Sequence, residues 1–386
     1  MHDGARNGAL LRAVGDVALV GTAARALRDG IDTSWPETAK YMSSADILFA
    51  NLEMPIPGGP IEPARPDVSH ELKGVRSALP AFLACGVDVV ALATNHIMDW
   101  GETGLVDTMT LLRENDVAFV GAGRTLDEAL ESVVIERGGV RVGFCAFTPP
   151  QRWTATPTTP GAAPLSVENV RASIRRMSDA DIRVVSLHWG IEMSNYPTPQ
   201  DRELAACILD EGADLILGHH PHVIQGVEKM GSGYVAYSMG NFVFDVHAGK
   251  VRHNFDPWDL RAGYMVEAVL RKHGITDLST VPTFLSEHGV GAVASEPERQ
   301  RIGALLHDVS ADIETGSRDV WSHAGTRIVG HKLKVMRGLL RDAGPLFLIR
   351  ELSHIRLRHV RMLMGFIASR IGRRGSREGD GRPDGA

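Results

Sequence analysis

The chain is expected to fold as an α/β layered protein, on two observations. Short apolar runs alternate with segments of helical period through residues 9–245, the pattern of strands and helices stacked around a core. At least five of those runs end in Asp, Glu, Asn or His, and open α/β sheets bind ligands at the carboxyl ends of their strands.

Taken in order, the apolar runs predict strands over Leu10–Val14, Ile47–Ala50, Val87–Leu92, Val117–Val120, Arg183–Leu187, Asp214–Leu217 and Tyr234–Ser238. Helices are predicted between them, over Val75–Cys85, Glu102–Asn115, Val167–Ser178 and Thr198–Glu211. Ser132–Phe147 reads as a hairpin, because Glu136-Arg137-Gly138-Gly139 separates two β-type runs. The Pro and Thr density of Thr148–Pro164 marks a loop between two halves. Beyond Asp245 a strand is expected over Ala262–Arg271 and a helix over Glu296–Glu314. Apolar residues at helical spacing from Lys332 to Ile371, interleaved with Arg, predict basic helices broken at Gly344-Pro345. The Gly-, Arg- and Asp-rich end is expected to be disordered. The domains are therefore drawn as residues 1–275, a peripheral α/β completion over 276–330, a helical extension over 331–372 and a tail over 373–386.

Composition narrows the class. The chain is 44% hydrophobic and 23% charged, ordinary for a soluble globular protein. A formal net charge of -6 argues against a nucleic-acid-binding protein. Between His331 and Arg374, eleven Lys and Arg face two acids, whereas the last twelve residues hold two Arg and three acids. An acidic body thus carries a basic appendage, expected to dock on that body, with membrane-surface contact the less favoured alternative. Cys85, Cys145 and Cys207 have no ligand-like spacing, which favours a reducing compartment. With no signal-peptide core and no apolar run of spanning length, a cytoplasmic location is expected.

Gly218-His219-His220-Pro221-His222 carries the most chemical information. Three imidazoles at a strand exit are hard to explain by packing, and neutral imidazole is a common metal ligand. Asp16, Asn51 with Glu53, Asn95 with His96, and His188 occupy the other strand exits. In isolation Asp16 would be a helix cap or turn residue and His96 a satisfied loop histidine; as a set they point to one site. Asn51, Trp189, Glu192 and His219 are the candidate substrate contacts. For Trp189, as for Trp100, packing is the stronger reading, and for Glu192, His247, His253 and Asp256 a solvated position is.

These stretches resemble the CapA-type proteins of poly-gamma-glutamate capsule synthesis, a branch of the calcineurin-like metallophosphoesterase superfamily. The resemblance rests on Val14-Gly15-Asp16-Val17, Ala50-Asn51-Leu52-Glu53, Ala93 to Gly101, Val120-Gly121-Ala122-Gly123, Ser186 to Glu192, Gly218 to His222 and Tyr237 to Phe242, in family order. It implies a calcineurin-like four-layer α/β sandwich, here with a C-terminal helical extension, and one or two divalent metal ions at the sheet edge. By motif, Asp16 and His222 would bind a first metal and Asn95, His188 and His220 a second, with Glu53 bridging. His96 would be the outer acid, oriented by Asp99. The superfamily's Asp-x-His motif reads Asp16-Val17-Ala18 here, so the first metal keeps about three protein ligands. Two being carboxylates, Mn, Mg or Ca is favoured over Zn or Fe. Within the cluster, His220-x-His222 is preferred to a register beginning at His219, because alternate residues of an extended segment share a side.

The resemblance implies a metal-dependent enzyme acting on a peptide-like or polyglutamyl substrate by acid/base chemistry. CapA-type proteins usually carry a membrane anchor, which this chain does not display, so a direct part in capsule export is less favoured. A peptide Cα epimerase, using His/Asp pairs on a ribosomally made peptide such as a lasso peptide, is the alternative. A non-catalytic capsule-synthesis scaffold is a third reading, and an ordinary phosphomonoesterase a weaker fourth.

Overall fold

The structure, a computed structural model, describes residues 8–64, 72–245 and 257–316. The expected basic helices over 331–372, the tail over 373–386, and His247, His253 and Asp256 lie outside the described residues.

Sixteen strands form among the described residues. In the first sheet β1 (Ala9–Val17), β2 (Ile47–Leu52), β3 (Val89–Ala91) and β4 (Ala118–Val120) run parallel. A two-stranded patch joins β5 (Ala122–Gly123) to β8 (Gly161–Ala162), so the Thr148–Pro164 loop does contain a short element. The second sheet holds β6 (Val133–Arg137), β7 (Val140–Phe147), β9 (Ile182–His188), β10 (Leu215–His219), β11 (Val227–Met230) and β12 (Gly233–Ala236), in the order β11-β12-β10-β9-β7-β6. The expected hairpin is β6–β7. The chain then returns to the first sheet. There β13 (Asn241–Val243) pairs parallel with β1, and β14 (Ala262–Arg271), β15 (Gly274–Leu285) and β16 (Gly291–Val293) extend it antiparallel.

The helices are α1 (Gly21–Arg28), α2 (Trp35–Met42), α3 (Leu79–Leu83), α4 (Gly101–Glu114), α5 (Leu126–Ala129), α6 (Val167–Arg176), α7 (Pro199–Asp210), α8 (Pro257–Arg261) and α9 (Glu296–Thr315). The starts of α6 and α7 are legible locally. Ser166 caps α6, and Thr198 with Asp201 forms a reciprocal capping box on α7. The helix expected over Val75–Cys85 is instead a 3₁₀ turn, Arg76–Ala78, followed by α3. Pro80 has no N–H to give the Arg76 carbonyl, so α-helical bonding cannot run back through the turn.

Side-chain alternation sorts the strands into layers. In β2, Ile47 and Phe49 face the second sheet, where Phe144, Val184 and Leu217 meet them; the Phe49 and Phe144 rings stack at 5.7 Å. Leu48, Ala50 and Leu52 point the other way, into a core shared with Leu27, Phe82, Leu105 and Met109 of α1, α3 and α4. The outer face of the second sheet, through Cys145, Val185 and Ile216, packs on Val170 and Ile174 of α6 and Ala205 and Ile208 of α7. The result is helix, sheet, sheet, helix: the expected four-layer sandwich.

Two glycines let the layers close at the strand exits. A Cβ on Gly15 would sit 2.0 Å from the Gly240 carbonyl oxygen, and one on Gly218 would sit 2.0 Å from that of Tyr237. Their absence lets β13 lie against β1 with Asn241 opposite Asp16.

Candidate metal centre

Asp16 ends β1 and is fully buried. Its Oδ1 accepts from Asn51 Nδ2 at 3.0 Å, and its Oδ2 from the His220 backbone N–H at 3.2 Å. His222 Nδ1 lies 3.1 Å from Oδ2, and His219 Nδ1 3.4 Å from Oδ1. Burial opposes the charge on Asp16, but the His219 and His222 rings outweigh it and hold the carboxyl well below its usual range.

Glu53 is also fully buried, and its environment is the opposite. Its backbone is fixed, with its N–H on the Val17 carbonyl at 2.9 Å and its carbonyl accepting from Thr94 Oγ1 at 2.7 Å. Neither carboxylate oxygen accepts a hydrogen bond among the described residues. Two imidazole nitrogens lie near the carboxylate, His222 Nε2 at 3.5 Å and His188 Nε2 at 3.9 Å. Burial, with the charge of Asp16 added against the pull of His222, pushes Glu53 up to about 7. A buried carboxylate with no donor is costly and calls for a cation.

Asp16, Glu53 and His222 each present a ligand atom within 4.8 Å of the other two. On His222, burial opposes protonation, yet Glu53 and Asp16 overcome it and raise the ring to about 10. Two carboxylates and one imidazole suit a divalent ion, which would displace that proton. The donor set therefore fits a metal.

A second donor group adjoins the first. His188 Nε2 is 2.8 Å from Asn95 Oδ1, and its ring centroid is 4.8 Å from that of His220. His220 Nδ1 is buried with no hydrogen-bond partner among the described residues. Burial holds His188 well below its usual value and brings His220 to about 4, so both rings are neutral at pH 7, the form that ligates.

Beside these groups, His96 Nδ1 sits 2.6 Å from Asp99 Oδ2, which also accepts from the Leu72 N–H at 2.9 Å. The His96 side chain is 17% exposed and that of Asp99 is buried. Asp99 engages the Nδ1 side of His96, and His96 acts electrostatically on Glu53 and His220.

Asp16, Asn51, Glu53, Asn95, His188, His219, His220 and His222 thus come together, though not all as their sequence suggests. His220 and His222 do not share a side by alternating along an extended segment: both have left-handed backbones, φ 95° and 60°, a conformation non-glycine residues rarely adopt. His219 lies behind Asp16, with its ring centroid 6.3 Å from that of Phe49 and 1% exposure. A substrate cannot reach it, and it stands as a buried partner of Asp16. Trp189 is likewise withdrawn: its indole N–H donates to the Tyr237 carbonyl at 3.1 Å and its ring stacks on Tyr237 in the outer core. Glu192 is exposed, and its charge acts on Glu53, His220 and His222 from the rim. Sequence reasoning assigned no role to Thr94, whose hydroxyl joins the Glu53 carbonyl to the His96 and Ile97 N–H groups. It also left Asn241 without a role, beside His222.

With this geometry in hand, the similarities are informative. The profile of the family described as "Bacterial capsule synthesis protein PGA_cap" matches residues 10–246. The chain is 30% identical over 306 residues to the capsule biosynthesis protein CapA of Bacillus anthracis, covering 76% of this chain and 70% of that one. It is 28% identical over 287 residues to the PGA biosynthesis protein CapA of Bacillus subtilis, covering 73% and 72%. Among solved structures, a novel phosphatase of Mycoplasma pneumoniae aligns with a TM-score of 0.46 and 14% identity, over 72% of this chain and 93% of that one. No helix among the described residues is long and apolar enough to cross a membrane.

Proposed function

The chain belongs to the bacterial capsule synthesis protein family PGA_cap, and from that membership we propose that it is a metal-dependent enzyme acting on γ-linked glutamyl amides. The observation that carries this reading is the orphaned Glu53 carboxylate, clustered with Asp16 and His222. Asp16, Glu53 and His222 would hold one divalent ion, with Mn, Mg or Ca suited to their two carboxylates. Asn95, His188 and His220 would hold a second, with Glu53 near both groups. A bound ion supplies Lewis acidity, polarising a carbonyl or making a water acidic at neutral pH.

The chain's own residues do the rest. Asp99 keeps the Nδ1 side of His96 engaged, so His96 gives the proton that a departing amide nitrogen needs from Nε2. Thr94 holds the His96 loop and the Glu53 backbone in one register. The names of the two Bacillus relatives, which concern capsule and PGA biosynthesis, favour a polyglutamyl chain over a nucleotide as substrate.

The test is to incubate Mn-loaded protein with a γ-linked oligoglutamate in heavy water and follow it by NMR. New α-amino termini without deuterium at Cα are expected. Cα deuteration without chain scission would replace this reading with epimerisation. Hydrolysis of p-nitrophenyl phosphate with the oligoglutamate untouched would replace it with phosphoester chemistry.

A further inference from the structure

The geometry points to Asn241 as a positioning residue that selects which nitrogen of His222 ligates metal. This inference rests on the metal reading above and concerns a residue with no part in it so far. Asn241 is 1% exposed and lies opposite Asp16 in the β1–β13 register. Its Nδ2 donates to the Leu260 carbonyl at 3.0 Å and to the His222 carbonyl at 3.3 Å. Those partners only accept, so the amide cannot be turned over, and Oδ1 is the atom 3.0 Å from His222 Nδ1. The other neighbour of Nδ1 is Asp16 Oδ2, 3.1 Å away and also an acceptor. Facing two acceptors, Nδ1 must carry hydrogen. Nε2, turned toward Glu53 Oε1 at 3.5 Å, is left as the ligating atom.

Asp16 alone would not enforce this, because it can turn its lone pairs to a metal and already takes Asn51 and His220. Asn241 has no such alternative: both its amide hydrogens are committed to backbone. The loop at His222, held in a left-handed conformation with φ 60°, is tied to the same amide through its carbonyl. Asn241 thus fixes ring tautomer and ring position together, as outer partners of metal-bound histidines do.

The experiment loads ¹⁵N-histidine-labelled protein with ¹¹³Cd and reads one-bond cadmium–nitrogen coupling, with His222 assigned from a His222→Gln spectrum. Coupling to His222 Nε2 with Nδ1 still protonated is expected. Asn241→Leu should weaken cadmium binding by about 10- to 100-fold. Coupling through Nδ1, or wild-type affinity in Asn241→Leu, would overturn the inference while leaving the metal centre standing. Wild-type protein that binds no cadmium would overturn both. If Asn241→Leu does not fold, the wild-type coupling decides alone.

Discussion

Glu53→Gln is expected to make the metal-free protein more stable while removing its stabilisation by divalent metal. The first half follows from proton linkage. Burial pushes the Glu53 carboxyl from 4.5 to about 7, so the folded chain holds a proton that the unfolded chain releases earlier. The stability this contributes is fully present below pH 4.5 and is lost as pH rises through 7. At about 1.4 kcal/mol per tenfold change in proton affinity, the loss amounts to about 3 kcal/mol. Glutamine resembles the protonated acid at every pH and leaves the Asp16–His222 pair in place. In chelator, denaturant titrations of the two proteins should coincide near pH 4 and separate by about that amount at pH 8. The second half follows from ligation: metal at about 100 times its Kd should add about 2.7 kcal/mol to the wild type and little to Glu53→Gln. A variant less stable than wild type in chelator, or one that keeps the metal increment, would contradict the account of Glu53.

The second large effect belongs to His96. His96→Ala should lower turnover of the oligoglutamate by about 10²- to 10⁴-fold, the range for losing a placed acid or base. Metal affinity should be unchanged, because His96 is absent from the Asp16–Glu53–His222 cluster. Asp99 keeps the Leu72 N–H after the ring is gone, so the loop should hold its shape. Steady-state kinetics beside a metal titration separates the two effects. Unchanged turnover would remove His96 from the chemistry, and a parallel loss of metal would make it a structural support instead.

Much of this site was legible because an apolar run that exits into Asp, Glu, Asn or His is a strong local signal, carried by Asp16, Asn51 with Glu53, His188 and the His219–His222 cluster. The strand parity that sorts β9 was also available: Val185, Leu187 and Trp189 alternate with Val184 and His188. It would have sent the Trp189 indole to the helix side and His188 to the other. Other features are set by tertiary contact. The break between β12 and β13 occurs at Gly240, φ 73°, which passes close to Gly15 and the backbone at 262–263. In sequence a strand is expected over Tyr234–Ser238 only, and nothing local marks the pairing of Asn241–Val243 with β1. The left-handed turns at His220 and His222 had none either, since neither residue is glycine. Their conformation is held by contacts from distant segments, such as the Met193 N–H on the Pro221 carbonyl at 2.9 Å.

Asp16, Glu53 and His222 together should bind a divalent ion. Anomalous diffraction from crystals of the chelated protein soaked in Mn is the most direct test. A peak within bonding distance of Asp16, a Glu53 carboxylate oxygen and His222 Nε2, lost in Glu53→Gln, is the predicted result. Mn-soaked wild-type crystals with no anomalous peak among those three side chains would contradict it.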